Sequence, residues 1–258
     1  MDHMTVAENF EQYFSLKVAN TPELKQESYR IRHQVYSEEL GWEPTRPDGM
    51  ETDECDAYSI ALLLQHKRTG HYAGTARLVL PPPHDLTKKL PFELHCLESV
   101  NKEVIDPSTL TRGTFGEISR LAVPAEFRRR VGEKNQSFVI NENVASSPDI
   151  FTDEDRRNFP NIAIGLYLGV IALVNMCHHP HMFVVVEPRL NKRLRRLGLH
   201  FKQCGCELDY HGTRALFVLD QSDYYTKLNV EMLNLFKLVE NQLREQLILY
   251  PVIPLSKE

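Results

Sequence analysis

The chain has 258 residues, of which 42% are hydrophobic and 25% charged, close to the average for a soluble globular protein. That composition excludes a disordered chain, a collagen and a small disulfide-stapled scaffold. Acidic residues (35) outnumber basic ones (30), and a net charge of −5 argues against a generally basic nucleic-acid binder.

The opening residues carry no charged-then-apolar signal pattern, and five cysteines without framework spacing are expected to be reduced thiols. Both features predict a cytoplasmic protein. Residues 7–18 are mixed in character. Thr21 then caps a helix, with Pro22 at its first position and Glu23 in its first turn; Leu24, Ile31 and Val35 share an apolar side to about residue 39, and Gly41 stops it. Residues 43–56 are acidic and carry Pro44, Pro47 and Gly49, as a loop does. Strands are predicted over 58–65 and 72–80, joined by a turn at 67–70 and ended by Pro81, Pro82 and Pro83.

A short helix is expected near 95–101 and a third strand over 117–123, stopped by Pro124. A helical pattern covers 126–140 and a polar excursion 145–160. Residues 162–177 are too few for a membrane span, which needs about 20, and read as a buried helix. The continuous apolar run 182–187 predicts a strand covered on both faces. A basic helix over 190–197 ends at Gly198, and closing strands follow at 201–208 and 215–219. Ser222 is expected to cap a long amphipathic helix carrying Leu228, Met232, Leu235, Phe236, Val239, Leu243 and Leu247. Helices and strands interleave, so the fold class is mixed α/β, with a domain over 7–220 and a helical extension over 221–258.

Charged residues recur beside these apolar strands: Arg32, Asp53, Asp56, Arg77, Glu117 and Arg120, with Tyr36 and Trp42 among them. Such groups must be paired or exposed. A structural ion-pair network accounts for any one of them as well as a binding site does. The combined spacing, Arg-x3-aromatic-x5-Trp, Asp-x2-Asp, Arg, then Glu-x2-Arg, resembles the acyl-homoserine lactone synthases, a branch of the GNAT acyltransferases. Tyr36 stands where Phe is usual. The wording from Arg30 to Pro44 is similar to acyltransferases associated with the PEP-CTERM/exosortase system and to N-acyl amino acid synthases. The resemblance spans roughly residues 10–220.

It implies a GNAT-like fold: a twisted mixed sheet flanked by helices, splayed in the middle, here between the strands at 117–123 and 182–187. It also implies direct transfer of a fatty acyl group from a thioester to the amine of a small amino acid. Catalysis falls to Glu117, as the base, and Arg120. The acceptor site falls to Arg32, Trp42, Asp53, Asp56 and Arg77. Donor binding falls to backbone amides along Leu121, Ala122 and Val123 and to Arg128, Arg129 and Arg130. No permanent cofactor and no metal are expected. His178, His179 and His181 are interrupted by Pro180 and lack a completing ligand.

Arg129-Arg130-Val131-Gly132 resembles a pyrophosphate loop but has Lys134 where a small residue is usual. This favours an acyl carrier protein over coenzyme A as bearer of the acyl-phosphopantetheine. Two basic stretches would steer that acidic partner. Residues 120–134 have five basic residues against two acidic, and 187–202 six against one. A solvated basic face explains them too. Gly165 and Gly169 either leave room for an acyl chain or allow close helix packing. The C-terminal helix is expected to be packed or partner-facing, with peripheral membrane contact as an alternative. The alternative functions are a homoserine lactone synthase using S-adenosylmethionine and a non-catalytic acyl-binding module.

Overall fold

The computed structural model describes residues 4–128 and 151–249. A capping box between Thr5 and Glu8 starts α1 (Val6–Tyr13). The chain then extends into β1 (Phe14–Val18), which the mixed pattern of residues 7–18 does not reveal. Thr21 accepts a hydrogen bond from the Leu24 N–H, so α2 (Pro22–Arg32) begins where its capping residues predict. The helix continues over His33–Glu39 in a wider π-type winding, where the Leu40 N–H donates to the Val35 carbonyl five residues back. Gly41, at φ 65°, turns the chain away.

β2 (Ser59–His66) and β3 (Tyr72–Val79) form the expected hairpin. α3 (Pro91–His95) starts earlier than predicted because Pro91 takes its first position; residues 97–99 make only one 3-10 turn. β4 (Phe115–Ala122) follows. Beyond Arg128, the helical pattern read over 126–140 lies outside the described residues.

Part of the stretch read as a polar excursion is α4 (Asp153–Asn158), whose start is fixed by reciprocal Thr152–Asp155 hydrogen bonds. α5 (Pro160–Met176), β5 (His181–Val186) and α6 (Pro188–Arg196) match their sequence signals. The expected strand at 201–208 is reduced to β6 (Lys202–Gln203) and β7 (Leu208–Asp209). Between them the Cys204 and Gly205 N–H groups converge on one acceptor, the Leu216 carbonyl, which breaks the ladder. β8 (Thr213–Asp220) closes the sheet. Ser222 sits in an isolated turn; α7 (Val230–Leu249) starts later, where Asn229 accepts from the Met232 N–H at 2.9 Å.

The strand order is β1-β2-β3-β4-β5-β8-β6, with β7 also on β8. Every pairing is antiparallel except β4–β5. α5 is apolar all round and buried between the sheet and α7. Its glycines serve that packing. A Cβ at Gly165 would lie 2.2 Å from the Phe10 ring and one at Gly169 2.7 Å from Leu16, so neither leaves room for an acyl chain. α7 packs on α5, α1 and β1, and its glutamines cover the exposed edge of β1. Leu16 and Val18 donate N–H groups to Gln242 and Gln246 at 3.2 and 2.9 Å. Among the described residues, no helix is long and apolar enough to cross a membrane.

Candidate active site

The site begins with a parting of strands. β4 and β5 pair in parallel from Phe115↔His181 to Ile118↔Val184 and then stop, although both strands run on. On its other side β4 carries an extra residue: Thr75 faces Ala122 and Arg77 faces Ser119, so two steps on β3 match three on β4. The bulge contains Arg120, whose φ of 50° is left-handed. Beyond the bulge lies a cavity of about 520 Å³. Its walls include Ser119, Arg120 and Leu121 from β4 and Val184, Val185 and Val186 from β5.

Glu117 lines this cavity and is 2% exposed. Its carboxylate accepts the Phe92 N–H at 2.7 Å. Burial pushes its pKa up to about 8, against the smaller pull of that N–H and of Arg77. Strand alternation puts Phe115, Glu117 and Ser119 on one face and Ile118 on the other, inside the apolar core.

Beside Glu117 stands the charged network. Arg32 donates to Glu51 at 2.5 Å and, through both terminal nitrogens, to Asp56 at 2.6 and 3.1 Å. Arg77 donates to Asp53 at 2.6 and 2.9 Å, to Asp56 at 2.8 Å and to the Ser119 hydroxyl at 3.0 Å. Arg120 lies 3.2, 3.1 and 3.4 Å from Glu43, Glu51 and Asp53. Burial works to raise the Asp53 pKa, but the hydrogen bond and charge of Arg77, with Arg120 behind it, hold it at about 2. Glu51 and Asp56 are likewise held below the ordinary range, despite burial, by Arg32 and its neighbours.

Arg32, Arg77 and Asp56 sit behind the cavity wall and fix the residues that form it; Trp42, Asp53, Glu117 and Arg120 line it directly. Trp42 stacks on Tyr36 at 5.9 Å and on His211 at 5.5 Å between centroids. The Tyr36 hydroxyl donates to the Leu121 carbonyl at 2.8 Å, which ties the π-wound turn to the bulge. Of the expected donor residues, Leu121 lines the cavity, whereas Ala122 and Val123 are buried in the two apolar clusters flanking the sheet. Arg128 is turned against Glu39, and burial pulls its pKa down. Arg129 and Arg130 lie outside the described residues.

Several wall residues escape sequence reasoning. Glu43 and Glu51 fall in the acidic loop, where the one clue is an excess of carboxylates next to Trp42 and Asp53. Tyr210 and His211 come from the β7–β8 turn and Arg214 from the start of β8, and they carry no sequence signal. Cys55 and Cys96 also line the cavity. Burial raises both thiols, Cys96 to about 11, which keeps them protonated and non-nucleophilic.

The β4–β5 pair parts beside a bulge in β4, and residues 31–135 match the acetyltransferase (GNAT) domain family. Over those residues the chain is similar to the GNAT acyltransferases. No curated protein matches it in sequence.

Among solved structures, the AHL synthase LasI is similar with a TM-score of 0.58 over 86% of this chain and 95% of that one, at 15% identity. The CoA-dependent acyl-homoserine lactone synthase BjaI, solved with SAM and isopentyl-CoA, gives 0.53 over 89% of both chains at 16% identity. FeeM, an N-acyl amino acid synthase from uncultured soil microbes, gives 0.52 over 83% of this chain and 94% of that one, at 13% identity. Identities this low establish a shared fold.

Proposed function

We propose that the protein is an N-acyl amino acid synthase, moving a fatty acyl group from an acyl carrier protein thioester to the amine of a small amino acid. The carrying observation is a cavity at the parted strands where a carboxyl of raised pKa, Glu117, stands beside an acidic, guanidinium-braced wall. In the proposed reaction the acceptor ammonium gives a proton to Glu117, directly or through one water. The freed nitrogen attacks the thioester carbonyl, the C–N bond forms, the C–S bond breaks, and the departing sulfur takes up a proton. Backbone along Ser119–Leu121 lacks a β5 partner and offers polar groups where the carbonyl oxygen gains charge. The protonated thiols of Cys55 and Cys96 support direct attack over an acyl-enzyme.

One feature supports a carrier protein as donor. The exposed face of α6, directly after β5, presents Arg189, Lys192, Arg195 and Arg196. An acidic protein would be steered to such a face. The five free cysteines fit work in the reducing cytoplasm. The test is thiol release from acyl-carrier and acyl-coenzyme A thioesters with each amino acid and with S-adenosylmethionine. Release with a free amino acid is expected. Release with S-adenosylmethionine alone would make the enzyme a lactone synthase, and no release with any amine would make it a binding module.

A further inference from the structure

Charge in the cavity wall is unevenly matched. The network sets Glu43, Glu51, Asp53 and Asp56 against Arg32, Arg77 and Arg120, four carboxylates against three guanidiniums, so it retains one negative charge. All four acids are within this web, and none of them pairs with Arg214. Arg214 lines the same cavity from the second position of β8 and is half-buried. Its Nε donates to the Tyr210 carbonyl at 2.7 Å and one Nη to the His211 carbonyl at 3.5 Å. Its guanidinium lies 4.9 Å from the centre of the Trp42 ring.

These contacts fix the plane of the guanidinium, yet all of them are neutral; among the described residues it has no carboxylate within ion-pair distance. Arg46, the other cavity arginine outside the network, is exposed, with both terminal nitrogens on Thr52. A fixed guanidinium with unused donors beside a cavity is the geometry that binds a carboxylate.

We infer that Arg214 anchors the carboxylate of the acceptor, so that the cavity takes a zwitterion, its ammonium drawn to the acidic wall and its carboxylate to Arg214. The inference rests on the N-acyl transfer reading and deepens it. No bond is made or broken at the carboxylate, which leaves in the product as a free acid. Arg214 is a binding residue in this scheme, and Trp42 and the Tyr210–His211 turn position it.

The test is equilibrium binding and needs no turnover. N-dodecanoylglycine and N-dodecanoylglycinamide, which differ only in the carboxylate, are titrated calorimetrically into the protein. The wild type should bind the acid about ten- to a hundredfold more tightly than the amide, as a charge-assisted hydrogen bond provides. Arg214→Gln should abolish that preference and leave amide binding in place. Arg214→Lys should restore part of it, which a variant that merely loosened the turn would not do. Arg46→Gln should keep it whole.

No preference in the wild type, a preference that survives Arg214→Gln, one lost in Arg46→Gln, or no binding of either probe would each overturn the assignment. A preference that follows Arg214 in a protein that releases no thiol with any amine would uphold the anchor and remove the transfer reading.

Discussion

Replacing Glu117 with Gln isolates what burial does to a single carboxyl. In the folded chain Glu117 titrates near 8 because burial outweighs the Phe92 N–H and Arg77; in the unfolded chain it returns to its ordinary 4.5. The folded value lies above the unfolded one, so between them the folded chain holds a proton that the unfolded chain has released. The stability this contributes is complete below the unfolded value and is lost as pH rises through the folded one. The slope is about 1.4 kcal/mol per pH unit, or about 3 kcal/mol between about pH 5.5 and 7.5.

Gln has no proton to release and can still accept the Phe92 N–H. His66, His179 and His211, whose pKa values are pulled down first of all by burial, add the same pH dependence to both proteins, and their effect cancels in the difference. Urea unfolding across this range should show the variant gaining on the wild type by about 3 kcal/mol as pH rises. A difference that stays constant with pH would refute the reasoning, because Glu117 would then titrate like an exposed carboxyl. In the proposed reaction the same ionisation governs turnover. Wild-type kcat/KM should climb with pH towards about 8, and the variant should be slower by about a hundredfold or more near neutrality. Unchanged turnover would remove Glu117 as the base.

Arg77→Met leaves Asp53 and Asp56 short of a buried partner and should cost about 3–5 kcal/mol in chemical unfolding; a cost below about 1 kcal/mol would mean that Arg32 and Arg120 suffice. Gly165→Ala drives a methyl into the Phe10 ring and should lower stability by about 1–3 kcal/mol in thermal melts without altering acyl-length preference. A changed length preference would return α5 to the donor site. Reversing Arg195 and Arg196 to Glu should cut kcat/KM with acyl-carrier protein about tenfold and with acyl-coenzyme A far less. Equal losses with both donors would count against the carrier protein.

Local signals carried most of the fold. Thr21 with Pro22 placed the start of α2, and the apolar runs placed α5 and β5 because both are covered on every side. β1 was illegible for the opposite reason: its alternation is short, and its outer edge is covered by Gln242 and Gln246 from the far end of the chain. The start of α7 was misplaced because Ser222 and Asn229 are both capable caps, and only the packing of Met232 and Leu235 chooses between them. In the site, spacing exposed the residues that sit on regular elements, such as Arg77, Glu117 and Arg120. Glu51 and His211 come from a loop and a turn, where the chain path, not periodicity, decides what meets.

The splay and the network are one device. A non-glycine residue at φ 50° costs on the order of 1–2 kcal/mol, so Arg120 holds its bulge only because something stabilises it there. That something is the ring of Glu43, Glu51 and Asp53 around its guanidinium, with the Tyr36 hydroxyl on the next carbonyl. The bulge in turn sets where β4 leaves β5, and hence where the cavity opens beside Glu117. Strand separation and the charged wall of the cavity are therefore coupled through a single side chain. Arg120→Ala should relax the bulge and draw β4 towards β5, closing the cavity to donor and acceptor together. Thioester binding in the absence of any amine is the measurement that shows it. A variant that binds the acyl thioester as tightly as the wild type while losing transfer would show instead that Arg120 acts on the acceptor alone, and that the strands part for some other reason.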